Sequence, residues 1–205
     1  MLANRADTYN LGDVVGAHAE AFHQSYVENA AASNPTLARL ATRHPKDVLA
    51  LVELTERGPR DGLEFEGNYA PEEQSEFLNV MRKLLRVRDV VLRVNEEYIR
   101  SAAQADAYRT EPAFKLQGSY RNMNRLAEKV SPVMNDAELE SFLATHYRNE
   151  AQTLTSGAEA NLLKFREITG TLDEVGRARW EEIKTTFRRG QMTRGVDGDG
   201  PVSRV

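Results

Sequence analysis

Phe77-Leu78-Asn79-Val80-Met81-Arg82-Lys83-Leu84-Leu85-Arg86-Val87-Arg88-Asp89-Val90-Val91-Leu92-Arg93-Val94 decides the fold. Phe77, Val80, Leu84, Val87, Val91, Val94 and then Tyr98 recur in alternating steps of three and four, the spacing that gathers one face of a helix. Leu78, Met81, Leu85, Leu92 and Ile99 widen that stripe, so the helix packs on more than one neighbour. Pro71-Glu72-Glu73 opens it with a proline suited to a first turn and two acids facing the positive end of the dipole. The pattern reaches Tyr108, about 38 residues or close to 60 Å, long enough for a bend partway. The prediction is an all-α fold: a multi-helix bundle organised on one long central helix.

Upstream of this spine, Val15, Ala19, Phe22, Tyr26 and Ala30 give a helix over Val14–Ala32. Ser33-Asn34-Pro35 ends it and starts a short one, with Asn34 as cap and Leu37, Leu40 and Ala41 inward. His44-Pro45 breaks that in turn, and Val48, Leu49, Leu51, Val52 and Leu54 form a third apolar face. Gly58, Pro59, Gly62 and Gly67 mark Arg57–Asn68 as a loop. Before residue 14 there is no helical period, and Thr8-Tyr9-Asn10-Leu11 can form a short edge strand.

Downstream, Thr110-Glu111-Pro112 ends the spine, a helix over Gly118–Val130 follows, and Ser131-Pro132 closes it. Asn135 caps the next helix, which carries Leu139, Phe142, Leu143, His146 and Tyr147 inward. Leu154, Leu162, Leu163, Phe165 and Ile168 continue the apolar pattern. A last helix, Leu172–Arg189, turns Val175, Trp180, Ile183 and Phe187 to the core. Gln191–Val205 has too few apolar residues for a core and reads as a disordered tail.

The 205 residues are 40% hydrophobic and 28% charged, enough for one sizeable core or two small ones. A net charge of -4 gives no global pull toward nucleic acid or anionic membrane. With no cysteine, disulfides and thiolate metal sites are excluded, in keeping with a reducing cytosol. No apolar run approaches a membrane span, and the first residues lack a signal-peptide layout, so a cytoplasmic protein is expected.

The candidate site is Leu116-Gln117-Gly118-Ser119-Tyr120-Arg121-Asn122-Met123-Asn124-Arg125-Leu126. Gly118 and Ser119 open a helix with Arg121 in its first turn, while Met123 and Leu126 pack inward. First-turn N–H groups and the dipole attract anions, and a guanidinium adds a planar fork for phosphate oxygens. A glycine-capped core helix with a solvated Arg121 is the plainer alternative.

Gly-x-x-Arg at a helix start followed by an apolar stripe resembles the sensor-2 motif in the helical lid of AAA+ ATPases. The longer run Phe114-Lys115-Leu116-Gln117-Gly118-Ser119-Tyr120-Arg121-Asn122-Met123-Asn124-Arg125-Leu126-Ala127-Glu128-Lys129 resembles the C-terminal part of large bacterial MoxR-like AAA+ proteins labelled DNA repair ATPases. The resemblance implies that Arg121 reaches the γ-phosphate of bound ATP, with Gly118 and Ser119 beside it. Leu2-Ala3-Asn4-Arg5-Ala6-Asp7 is similar to a segment whose arginine acts as a finger across a subunit interface, although Ala6 and Asn4 depart from it. That would give Arg5 a role on a neighbour's nucleotide; an ordinary surface arginine is the alternative.

The phosphate-cradling Gly-x-x-x-x-Gly-Lys-Ser/Thr loop occurs nowhere in the chain. On this resemblance, residues 1–13 are the remnant of an ATPase core, 14–190 the helical lid and C-terminal bundle, and 191–205 the tail. The fragment senses the γ-phosphate and couples hydrolysis to movement but turns over no ATP alone. The resemblance implies that ATP with Mg would belong to the complete ATPase, that the upstream core would be the partner, and that the intact protein would be a homo-oligomer. A helical protein-interaction module without a nucleotide role is the competing expectation.

Other chemistry is thin. His18 and His23 lie on different faces of one helix; His146 and Glu150 share a face but lack further ligands, so no metal is expected. Arg82, Arg86, Arg93 and Arg100 fall along one side of the spine, either as a nucleic-acid stripe or as a solvated face of mixed charge.

Overall fold

The computed structural model describes residues 19–59 and 63–197. The expected strand at Thr8–Leu11, the helix start at Val14 and Arg5 lie outside them. Among the described residues there are eight α-helices and no strand. They are α1 (Ala19–Ser33), α2 (Ala38–Arg43), α3 (Pro45–Arg57), α4 (Pro71–Ala103), α5 (Tyr120–Ala127), α6 (Asp136–Gln152), α7 (Ala158–Ile168) and α8 (Glu174–Asp197), with a 3-10 turn at Asp106–Tyr108. The all-helical expectation holds.

The described residues form two compact units, 19–96 with 117–144 and 97–116 with 145–197. The spine α4 gives its residues up to Glu96 to the first and those from Glu97 to the second.

In the first unit the α4 seam is buried as its spacing requires: Val80, Leu84, Val87, Val91 and Val94 are fully enclosed, together with Met81 and Val90. Tyr26, Val27, Ala30 and Ala31 of α1, Leu37 and Leu40 around α2, and Met123 and Leu126 of α5 are also buried. Burial of such side chains contributes roughly 1.5–3 kcal/mol each and holds helices too short to stand alone. α1 packs on both α2 and α5. Pro45 takes the first position of α3, and Gly58, at φ 77, ends it by donating its N–H to Leu54 O.

Asn34 does more than cap. Its Oδ1 accepts from the N–H groups of Thr36 and Leu37, while its Nδ2 donates to the carbonyls of Ala127 and Val130, both at 2.8 Å. The side chain is wholly buried, so one amide fastens the start of α2 to the end of α5.

Asp47, 1% exposed, pins the loop that leads into α4. Its carboxylate accepts from Glu66 N at 2.7 Å, Gly67 N at 3.0 Å and Tyr69 Oη at 2.6 Å. Burial pulls its pKa up, but these donors outweigh burial and hold it below the usual aspartate range. A group depressed in the folded state contributes stability that is complete above its unfolded pKa, near 4, and lost as pH falls through the folded value. Asp47→Asn is expected to cost about 2 kcal/mol at neutral pH. Urea midpoints should converge with wild type as the pH drops below about 4; a pH-independent gap would contradict the pinning role.

In the second unit Trp180 of α8 packs on Ala160 and Leu163 of α7, with Leu172 and Ile183 at its edges. Tyr147 and Phe165 lie with ring centroids 4.7 Å apart. Lys164, almost buried, reaches Glu167 at 2.8 Å, Glu111 at 2.9 Å and Glu97 at 3.8 Å. Burial alone would lower its pKa, but the carboxylates around it raise it on balance.

Two boundaries differ by five residues or more from the sequence reading. The spine stops at Ala103 rather than Tyr108, because the returning chain takes over its end. Ser101 Oγ accepts the Phe114 N–H, and Arg109 donates to the Ser101 carbonyl. The segment expected to be a disordered tail is helical as far as Asp197, since α8 runs on from Glu174. Gln191 donates to the Asp106 carbonyl and Thr193 Oγ1 to the Arg189 carbonyl, and single glycines at 190 and 195 are tolerable in a helix at about 1 kcal/mol each.

Candidate functional site

The turn from Gly118 to Arg121 is built against α4 and α1 within the first unit. Gly118 is buried where the returning chain crosses α4. A Cβ at this position would stand 1.9 Å from Val91 O and 2.6 Å from Asn95 N. Glycine is therefore required by a backbone-to-backbone approach. The Gly118 carbonyl accepts from Tyr26 Oη at 2.9 Å, and the Tyr26 phenol, buried and beside Tyr120, is pushed up to about 12.

Ser119 caps α5 as its residue type and position predict. Its Oγ accepts from Asn122 N at 3.3 Å and is also paired with Asn122 Oδ1. Tyr120 stacks on Tyr26 with centroids 4.0 Å apart, and its hydroxyl pairs with Ser25 Oγ. Between these fixed residues Arg121 is exposed, with no acidic partner among the described residues. The structure thus brings Gly118, Ser119 and Arg121 together in one turn. The glycine and serine serve packing and capping, and only the guanidinium is left uncommitted.

The basic side of the spine is partly committed. Arg86 is bidentate on Glu140 at 2.6 and 3.0 Å, and Arg88 is shared between Glu56 and Asp89. Arg100 pairs with Glu97 at 2.6 Å. Lys83, 2% exposed, donates to the Ser131 and Pro132 carbonyls, and burial holds its pKa below the usual lysine range. Arg82, bonded to Asn79 at 2.7 Å, and Arg93 are exposed and have no acidic partner among the described residues. His146 is half-buried and edge-on to Tyr147. Among the described residues no group of three or more His, Asp or Glu side chains could hold a metal ion, and no helix is long and apolar enough to cross a membrane.

Three concavities stand out among the described residues, and Arg121 lines none of them. One of about 510 Å³ lies between α1 and α3, floored by Val27, Val48 and Val52 with Arg88 and Glu56 at its side. A second, about 470 Å³, opens between α2 and the first turns of α4. The third, about 370 Å³, sits beside Trp180 and Leu172 in the second unit. Sequence reasoning missed the second: its walls come from segments some thirty residues apart, and none of its residues forms a local motif.

Compared with protein-family models, curated proteins and solved structures, the chain matches none of them.

Proposed function

We propose that the chain is the helical lid and sensor-2 part of a MoxR-like AAA+ ATPase, with Arg121 meeting the terminal phosphate of ATP whose main cradle lies in the upstream core. The observation that supports this reading is Arg121 itself: an exposed guanidinium without an acidic partner among the described residues, in the first turn of a serine-capped helix. A phosphate there gains both the fork of the arginine and the positive end of the helix. Magnesium, the chemistry of hydrolysis and a finger role for Arg5 on a neighbouring subunit belong to the assembled ATPase in this proposal. The test is a titration with fluorescent ATP and a phosphate-release assay on this chain. Weak binding, loosened about tenfold by Arg121→Ala, and no phosphate release are expected. Turnover that survives Arg121→Ala overturns the assignment.

A second reading, a helical interaction module without a nucleotide role, is favoured by one observation. The Gly118 turn is closed onto α4, and Arg121 lines none of the three concavities. ATP binding unaffected by Arg121→Ala would select it.

A further inference from the structure

The cleft between α2 and the start of α4 is held open by segments that are each locked. On one side, Asn34 fixes the turn into α2 by its four hydrogen bonds. On another, Asp47 clamps the 66–69 loop, and Tyr69 stands edge-on to His44 and Phe77 with centroids 6.2 and 5.3 Å away. Gly67 allows this, since a Cβ there would meet the Tyr69 ring at 2.2 Å. On the third side, Glu73 Oε2 accepts the Ala70 N–H at 2.9 Å and caps α4.

Charge is distributed unevenly in this space. Arg39 and Arg43 lie one turn apart on α2 and line the cleft. Neither has an acidic partner among the described residues. Glu76 also lines the cleft, with no cationic partner among the described residues, while Glu73 is engaged at the cap. Two guanidiniums and a carboxylate thus share one preformed cleft without closing on one another. A simple anion such as phosphate gains the arginines but faces the two glutamates. A guest with two carboxylates and one ammonium matches all three uncommitted charges and can rest its carbon chain on Leu40 and Phe77.

We propose that this cleft binds an acidic α-amino acid, free or as the end of a short peptide with a free amino terminus. Arg39 and Arg43 take the carboxylates and Glu76 takes the ammonium. The proposal is independent of any role of Arg121 in binding nucleotide.

The test is calorimetric titration of this chain with L-glutamate, alanyl-glutamate, glutarate and inorganic phosphate. Saturable binding of glutamate, of the dipeptide or of both is expected, and which of them binds separates a free amino acid from a peptide end. Glutarate, which keeps both carboxylates but has no ammonium, should bind about tenfold more weakly, since a charge-assisted hydrogen bond is lost. Arg39→Ala and Arg43→Ala should each weaken binding by about tenfold or more. Glu76→Gln should erase the preference for glutamate over glutarate. These three side chains are exposed, so circular dichroism and melting temperature of the variants should match wild type. Absence of binding by both glutamate and the dipeptide, equal affinity for phosphate or glutarate, or binding unchanged in the arginine variants each overturns the proposal.

Discussion

Replacing Lys164 by methionine is expected to cost the second unit about 3 kcal/mol, because Glu111 and Glu167 lose their nearest cation while Glu97 keeps Arg100. Lys164 is the cation shared by Glu97, Glu111 and Glu167, at 3.8, 2.9 and 2.8 Å, and Glu97 is itself buried. Methionine fills similar space, so the loss is electrostatic rather than a cavity. The pH dependence of the wild type should be lost in the variant. In wild type the raised lysine pKa contributes stability present below the ordinary lysine value and lost as pH rises through the folded one. Urea midpoints of both proteins between about pH 7 and 12 test this. Adding Glu111→Gln to the methionine variant should recover part of the loss. A variant as stable as wild type at neutral pH would show that the cluster is held by its packing alone.

Gly118→Ala is expected to cost the first unit about 3 kcal/mol, at the upper end of ordinary overpacking. The added methyl would fall 1.9 Å from Val91 O, 2.6 Å from Asn95 N and 2.8 Å from Asn95 Cβ. The first two are backbone atoms of a long helix and cannot swing aside as a side-chain tip can. Displacing the turn also strains the hydrogen bond from Tyr26 to the Gly118 carbonyl. Gly190→Ala is the control. It sits inside α8 without a positive φ, and nothing lies within 4 Å of the place its new methyl would take. There alanine should stabilise by up to about 1 kcal/mol, through helix propensity alone. Thermal or denaturant melts of the two variants moving in opposite directions would separate crowding from propensity. Parallel shifts would contradict the close approach.

The period of the α4 seam was readable from residue types because burial of every third or fourth side chain is a local property. The same holds for Pro71 at the start, for Ser119 as a cap, and for Asn135, whose Oδ1 accepts Glu138 N while Glu138 returns the bond to Asn135 N. What escaped was non-local. Gly118 invited an anion-site reading, and its crossing of Val91 depends on a segment nearly thirty residues earlier. The basic stripe is partly paired for the same reason: Arg86 finds Glu140, a pairing that no helical spacing reveals. Within the candidate site, sequence alone located the three residues of one turn. It could not tell that two of them serve the fold and that Arg121 alone is uncommitted.

Asn34 carries a consequence for the ageing of the protein. Spontaneous deamidation of asparagine begins when the following backbone nitrogen, stripped of its hydrogen, attacks the side-chain amide. Here the following residue is Pro35, whose nitrogen carries no hydrogen, so that route is closed. The lesion would be severe: an aspartate in this place has no hydrogens to donate and would set a negative oxygen against the Ala127 and Val130 carbonyls. The proline that follows Asn34 thus shields the amide joining α2 to α5 from conversion to aspartate by that route.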